Sequence, residues 1–112
     1  MTMTTEMKTH DLKPDLTIYA EDAAGLTDLR NVASWRILAK MAGASLFIDT
    51  APTVTVDSVN HSKATMVHQW VTGETANVGS ARVEAEATWP DGKTQTFPAD
   101  GYVVVRFVQD LG

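Results

Sequence analysis

The sequence predicts an all-β protein: an antiparallel β-sandwich of about seven or eight short strands, preceded by an extended N-terminal arm. Its 112 residues are enough for one domain, since domains of roughly 100 to 150 residues are the commonest. The 15 threonines and 12 valines favour strands, because β-branched side chains fit a pleated surface. From Pro14 onward, apolar residues recur mainly with a period of two, which is typical of half-buried strands.

Residues 1–13 form a polar, threonine-rich segment, and we place the sandwich domain at residues 14–112. The large apolar residues of this segment are Met1, Met3, Met7 and Leu12. They bury too little surface to fold alone, so the segment is either a frayed terminus or an arm that becomes ordered against a neighbouring subunit. Because methionine side chains fill irregular gaps, we take these four residues as candidate partner-binding residues, together with Leu111.

The first half of the domain contains short strand-like segments separated by turn signals. They lie at residues 16–20, 46–48, 53–56 and 65–71. Residues 31–42 are ambiguous. Trp35, Ile37 and Ala39 share a parity, as in a strand, whereas Val32, Trp35 and Leu38 follow a helical spacing. We favour a strand, because short strands at intervals of about 8 to 12 residues are typical of a sandwich.

Residues 81–89 give the clearest strand. Every odd position is apolar and every even position is polar or charged, a pattern that no helix produces. One face of the strand is therefore expected in the core and the other in water. The residues that we predict for the core, from this strand and its expected neighbours, are Trp35, Ile37, Trp70, Val83, Ala85, Ala87, Trp89, Val105 and Phe107.

Pro90-Asp91-Gly92 follows this strand and predicts a hairpin. Proline presets φ in the turn and glycine accepts the left-handed conformation. The hairpin would oppose Thr88 to Thr94. Residues 94–97 are polar until Phe97, as expected of an edge strand. After a break at residues 98–101, residues 102–108 are apolar on both faces except at Arg106, which predicts a central strand.

Charge and chemistry exclude several classes of function. The net charge is −5 and the sequence has no basic cluster, which argues against nucleic-acid binding. The absence of cysteine excludes disulfides and thiolate metal sites. The three histidines, His10, His61 and His68, share no ligand or catalytic spacing. We therefore expect no catalytic residue, metal or cofactor, and no apolar segment approaches the roughly 20 residues that cross a membrane.

One part of the sequence resembles a known family. The resemblance is carried by Gln69 to Glu86, Trp89 to Lys93 and Thr96-Phe97-Pro98, and by the closing residues 102–112. It includes Trp70, the turn Gly73-Glu74-Thr75, the alternating Arg82, Glu84 and Glu86, and the Asp91-Gly92 hairpin. The stretch is similar to small immunoglobulin-like domains of tailed-bacteriophage virion proteins, including the N-terminal domain of phage baseplate upper proteins. The resemblance implies an immunoglobulin-like sandwich.

The resemblance also implies a function. We expect a non-catalytic structural component of a tailed-phage virion, such as a capsid decoration, minor capsid, tail or baseplate accessory protein. It would act by protein–protein binding to major capsid, tail or baseplate proteins, with homo-oligomers as another option, after synthesis in the bacterial host cytoplasm. The alternative is a surface module that binds a ligand or carbohydrate, which exposed tryptophans would favour. An enzyme is the least favoured class.

Overall fold

The computed structural model describes residues 3–22, 27–98 and 102–111. These residues form nine strands and one short 3-10 helix at Leu29–Asn31. The strands are β1 (Met3–Lys8), β2 (Leu16–Glu21), β3 (Ser34–Met41), β4 (Leu46–Thr50), β5 (Thr53–Val56), β6 (Lys63–His68), β7 (Gly79–Thr88), β8 (Thr94–Phe97) and β9 (Val103–Val108).

The strands form two sheets. Six strands make one sheet in the order β1-β9-β7-β3-β4, with β8 also paired to β7, and the other three make a sheet in the order β2-β6-β5. This is the strand order of immunoglobulin-like sandwiches, in which the G, F, C and C′ strands face the B, E and D strands. The predicted all-β sandwich is confirmed, with nine strands in place of seven or eight. One pair departs from the antiparallel expectation, because β1 runs parallel to β9.

The ambiguous segment at residues 31–42 is a strand over most of its length. The 3-10 helix before it is capped by Asp28, whose carboxylate accepts a hydrogen bond from the Arg30 amide over 3.0 Å. Strand β3 then pairs with β4 on one edge and β7 on the other, so the sheet supplies partners for its backbone on both sides. Ile37 and Ala39 are buried, as the period of two requires.

Strand β7 pairs with two successive strands along one edge. The hairpin has the predicted register, with Thr88 opposite Thr94. Farther along, Phe97 lies opposite Ala85 and Val103 lies opposite Val83. Only one residue of β7, Glu84, therefore lies between these two pairings. Strands β8 and β9 are thus two halves of one interrupted strand.

The core lies between the sheets and contains small side chains from β7. Ala81, Val83, Ala85 and Ala87 are fully buried, and large residues surround them, such as Ile18 of β2. Seven of the residues predicted for the core are buried: Ile37, Trp70, Val83, Ala85, Ala87, Val105 and Phe107. Trp35 and Trp89 are half-buried and pack against the core, because they lie near the ends of β3 and β7.

The segment predicted as an arm contributes a strand to the sandwich. Met3–Lys8 forms β1 and pairs with β9 along its whole length. Met7 is only 6% exposed and belongs to the core. The backbone continues this attachment, since the Thr9 amide donates to the Val108 carbonyl over 2.8 Å. Backbone pairing needs no large apolar face, which is why composition does not reveal the strand. The sandwich therefore includes residues before Pro14, which corrects the boundary expected from the sequence.

The substitution Met7→Ala tests whether β1 is a structural part of the sandwich. We expect it to lower the free energy of unfolding by about 2–3 kcal/mol, because it removes a buried side chain and leaves a cavity. Urea denaturation measures the change. The control is Glu6→Ala on the exposed face of the same strand, for which we expect a change within about 0.5 kcal/mol. Equal stability of the Met7 variant and the unsubstituted protein would show that the segment is a free arm.

Candidate interaction surfaces

The residues predicted to bind a partner lie in different environments. Met1 lies outside the described residues, Met3 begins β1, and Met7 is used inside the chain's own core. Leu12 is 37% exposed and Leu111 is 99% exposed. The Asp110 amide donates to Thr9 Oγ1 over 3.2 Å, so the segments that carry these two leucines run close together. Leu12 and Leu111 therefore remain available for contact.

A buried polar cluster fixes the turn between β6 and β7. Nε2 of His68 lies 2.9 Å from Oε1 of Glu74, and the same oxygen accepts the Val71 amide over 2.7 Å. The ring of Trp70 meets the His68 ring edge-on, with centroids 5.8 Å apart. Its Nε1 donates to the Pro14 carbonyl over 3.0 Å. The cluster thus joins this turn to the residues that precede β2.

Exposed apolar side chains flank this turn and the neighbouring hairpin between β3 and β4. Leu46, Val71 and Val78 are 48%, 60% and 64% exposed. A cavity of about 360 Å³ separates the hairpin from the turn, and its lining includes Phe47 and Asn77. We refer to Leu46, Val71 and Val78 as the apolar end of the sandwich.

Five exposed cations lie at strand positions on the outer face of the six-stranded sheet. Arg36 on β3 is paired with Asp49 and Glu86. The other four are Lys8 on β1, Lys40 on β3, Arg82 on β7 and Arg106 on β9. Lys40 and Arg82 stand directly opposite each other, and Arg106 pairs with Ser80, one diagonal step from Arg82. We refer to these four residues as the cationic face.

The four side chains of the cationic face lie beyond ion-pair distance of any carboxylate in the described ranges. Within the described ranges, no carboxylate oxygen lies within 4.0 Å of a nitrogen of these four side chains. Other cations are paired: Arg30 with Asp28 over 2.6 Å, and Arg36, farther along the same face, with both Asp49 and Glu86 over 3.3 Å. The four cations of the cationic face therefore form no ion pair in the described ranges, although Glu84 lies near Lys40 and Arg82 and Glu6 stands opposite Arg106.

A groove runs along the same face. Its volume is about 490 Å³, and Leu38, Leu46, Lys40, Arg82, Glu84 and Tyr102 contribute to its lining. The guanidinium carbon of Arg82 lies 5.0 Å from the centroid of the Tyr102 ring, a cation–π contact that holds the arginine in place. The groove thus combines charged donors with an apolar floor, and such donors bind carboxylates.

Asp28 and Asp57 have lowered pKa values, and both belong to turns. The pKa of Asp28 falls to about 2, because its carboxylate accepts hydrogen bonds from the Arg30 guanidinium and then from the Arg30 amide. The pKa of Asp57 is lowered by the amides of Asn60 and Val59, each 2.8 Å from Oδ1. Local hydrogen bonds therefore account for both shifts without a catalytic role.

The described ranges contain neither a cluster that could bind a metal nor a membrane-spanning helix. No group of three or more histidine, aspartate or glutamate side chains there could hold a metal ion. No helix among these residues has the length and apolar character needed to cross a membrane. His68, one of the three histidines, is engaged by Glu74 in the buried cluster.

Comparisons with protein-family models, curated proteins and solved structures found no match to this chain. The functional interpretation therefore depends on the sequence pattern and on the surfaces described above. Of these surfaces, the sequence indicated neither the cationic face nor the groove, because their residues lie far apart along the chain. The one local sign of the cationic face in the sequence is that each of its cations occupies a polar position in a strand.

Substitutions of Glu74 test the buried cluster. We expect Glu74→Ala to lower the free energy of unfolding by about 1–3 kcal/mol, because it leaves the Val71 amide and His68 without their acceptor. Glu74→Gln is the matched control, since its amide oxygen can still accept both hydrogen bonds, and we expect a smaller loss. Chemical denaturation at neutral pH measures both variants. Equal losses for the two variants would contradict the assigned role of the Oε1 atom.

The substitution Lys40→Gln tests the repulsion within the cationic face. Like charges directly opposite each other on neighbouring strands destabilise a sheet, so we expect the variant to gain roughly 0.2–1 kcal/mol. A thermal melt at low salt measures the gain as a rise of a few degrees. Lys93→Gln in the hairpin turn makes the same change in net charge away from the face, and we expect little change. A lower melting temperature for the Lys40 variant would show that Lys40 is not repelled by the other cations of the face.

Proposed function

We propose that the protein is a non-catalytic structural component of a tailed-phage virion, either a capsid decoration protein or a tail or baseplate accessory protein. It would bind other virion proteins, such as the major capsid protein or tail and baseplate proteins, or further copies of itself. The resemblance of residues 69–112 to immunoglobulin-like domains of virion proteins supports this proposal. The β-sandwich fold agrees with what that resemblance implies.

The observation that carries the proposal is the apolar end of the sandwich. Leu46, Val71 and Val78 each leave about half or more of their side chain exposed. Apolar side chains grouped on a surface commonly mark protein contacts, since burying them against a partner is favourable. The sheets also have open edges at β4 and β5, which can pair with a strand of another chain. A particle built from many copies would use such surfaces.

The tryptophans give less support to the alternative, a module that binds carbohydrate on the surface. Trp70 is buried and donates to a backbone carbonyl. Trp35 packs its ring 5.9 Å from that of Phe97, and Trp89 donates to Gln95 Oε1 over 3.3 Å. All three side chains are thus largely engaged within the chain, whereas sugar binding commonly needs a broad exposed aromatic ring. We therefore favour protein binding.

Purified particles test the proposed function. We expect the chain to remain with phage particles through a density gradient, at a fixed number of copies per particle measured by quantitative mass spectrometry. The double substitution Val71→Asp and Val78→Asp should reduce that number at least tenfold, because it places charge in the contact. Val59→Asp is the matched control, since Val59 is 90% exposed in the connection between β5 and β6. Recovery of the unsubstituted chain only in the particle-free fraction would overturn the proposal.

A further inference from the structure

We propose that the cationic face and its groove bind an acidic, extended segment of a protein partner, with an aliphatic residue among its carboxylates. This inference deepens the proposed function, on which it rests, by assigning a chemistry to one contact of the virion partner. It concerns the outer face of the six-stranded sheet, which shares Leu46 with the apolar end.

The distribution of charge over the protein favours an acidic partner at this face. The chain has 14 acidic and 9 basic residues, so acidic groups are plentiful. Even so, the structure pairs Lys13, Arg30, Arg36 and Lys63 with carboxylates, whereas the four side chains of the cationic face form no ion pair in the described ranges. Five cations of the described ranges form no ion pair, and four of them lie on this one face, the exception being Lys93 in the hairpin turn. Such a group is complementary to an anion from outside the chain.

The repulsion between Lys40 and Arg82 also favours an acidic partner. These residues are direct cross-strand neighbours, a position in which like charges destabilise a sheet. Glu84 lines the same groove but forms no ion pair with either side chain. A carboxylate placed between the two side chains would convert the repulsion into two charge-assisted hydrogen bonds. The arrangement is therefore explained by an external acidic group.

The shape and composition of the groove favour a polypeptide. Tyr102 holds the Arg82 guanidinium in place before binding, which lowers the cost of ordering it. Leu38 and Leu46 add apolar surface to the lining, and Leu46 is 48% exposed. A polypeptide offers carboxylates and aliphatic side chains together, so it matches both parts of the groove.

The same features disfavour a nucleic acid. Glu84 lies within the groove, and Glu6 stands opposite Arg106 on the neighbouring strand. A continuous row of phosphates would meet these carboxylates as well as the cations, and the net charge of −5 would repel it at a distance. A protein segment can place its acidic residues only where the cations are.

Binding of a synthetic peptide to the full chain tests the proposal. The probe is a fluorescein-labelled peptide of alternating Asp, Leu and Glu residues, and fluorescence anisotropy at low salt gives its Kd. We expect the peptide to bind the unsubstituted chain. The double substitution Lys40→Gln and Arg82→Gln should raise the Kd at least tenfold. Lys93→Gln with Lys13→Gln is the matched control for net charge, and we expect a change of less than twofold. A peptide with Asn and Gln in place of the acidic residues should not bind.

Three outcomes would overturn the inference: no binding of the acidic peptide, equal weakening by both double variants, or tighter binding of an oligothymidylate with the same dependence on Lys40 and Arg82. Thermal melts separate these outcomes from misfolding, since both double variants should remain folded. The peptide assay needs no phage particle. If the peptide binds but the chain is absent from virions, the proposed function alone is overturned. If the peptide does not bind but the chain is present in virions, only this inference is overturned.

Discussion

The register of β7 is the constraint on which the rest of the structure depends. This strand pairs with β3 on one edge and with β8 and β9 on the other. Its inner side chains, Ala81, Val83, Ala85 and Ala87, are fully buried, and Arg82 projects between them toward water. A slip of one residue would exchange the two faces and bury charge in the core. Core packing therefore fixes the position of Arg82 on the outer face, where it meets Lys40.

The interruption between β8 and β9 adds the second part of the outer face. Phe97 and Val103 lie opposite residues of β7 that are only two positions apart, so the chain supplies extra residues at that point. Tyr102 is the last of them and contacts the Arg82 guanidinium. The inner face of the sheet thus builds the sandwich, whereas the outer face carries features that the sandwich does not need. We interpret that difference as the mark of a binding surface.

The sequence predicts the parts of this fold that depend on local patterns. The alternation at residues 81–89 and the turn at residues 90–92 predict β7, the hairpin and its register, because strand period and turn chemistry act over a few residues. The pairing of β1 with β9 joins segments about a hundred residues apart, and a short polar strand carries no apolar signal of it. The cationic face was missed for the same reason, since only long-range pairing brings Lys40 to Arg82.

The central claim is that the outer face of the six-stranded sheet binds acidic protein. An NMR titration of the isotope-labelled chain tests it most directly. Unlabelled acidic peptide would be added while every backbone amide is observed. The account predicts shifts concentrated at Lys40, Leu46, Arg82 and Tyr102, with the three-stranded sheet around Tyr19 unchanged. Shifts confined to the three-stranded sheet, or no shifts at saturating peptide, would contradict it.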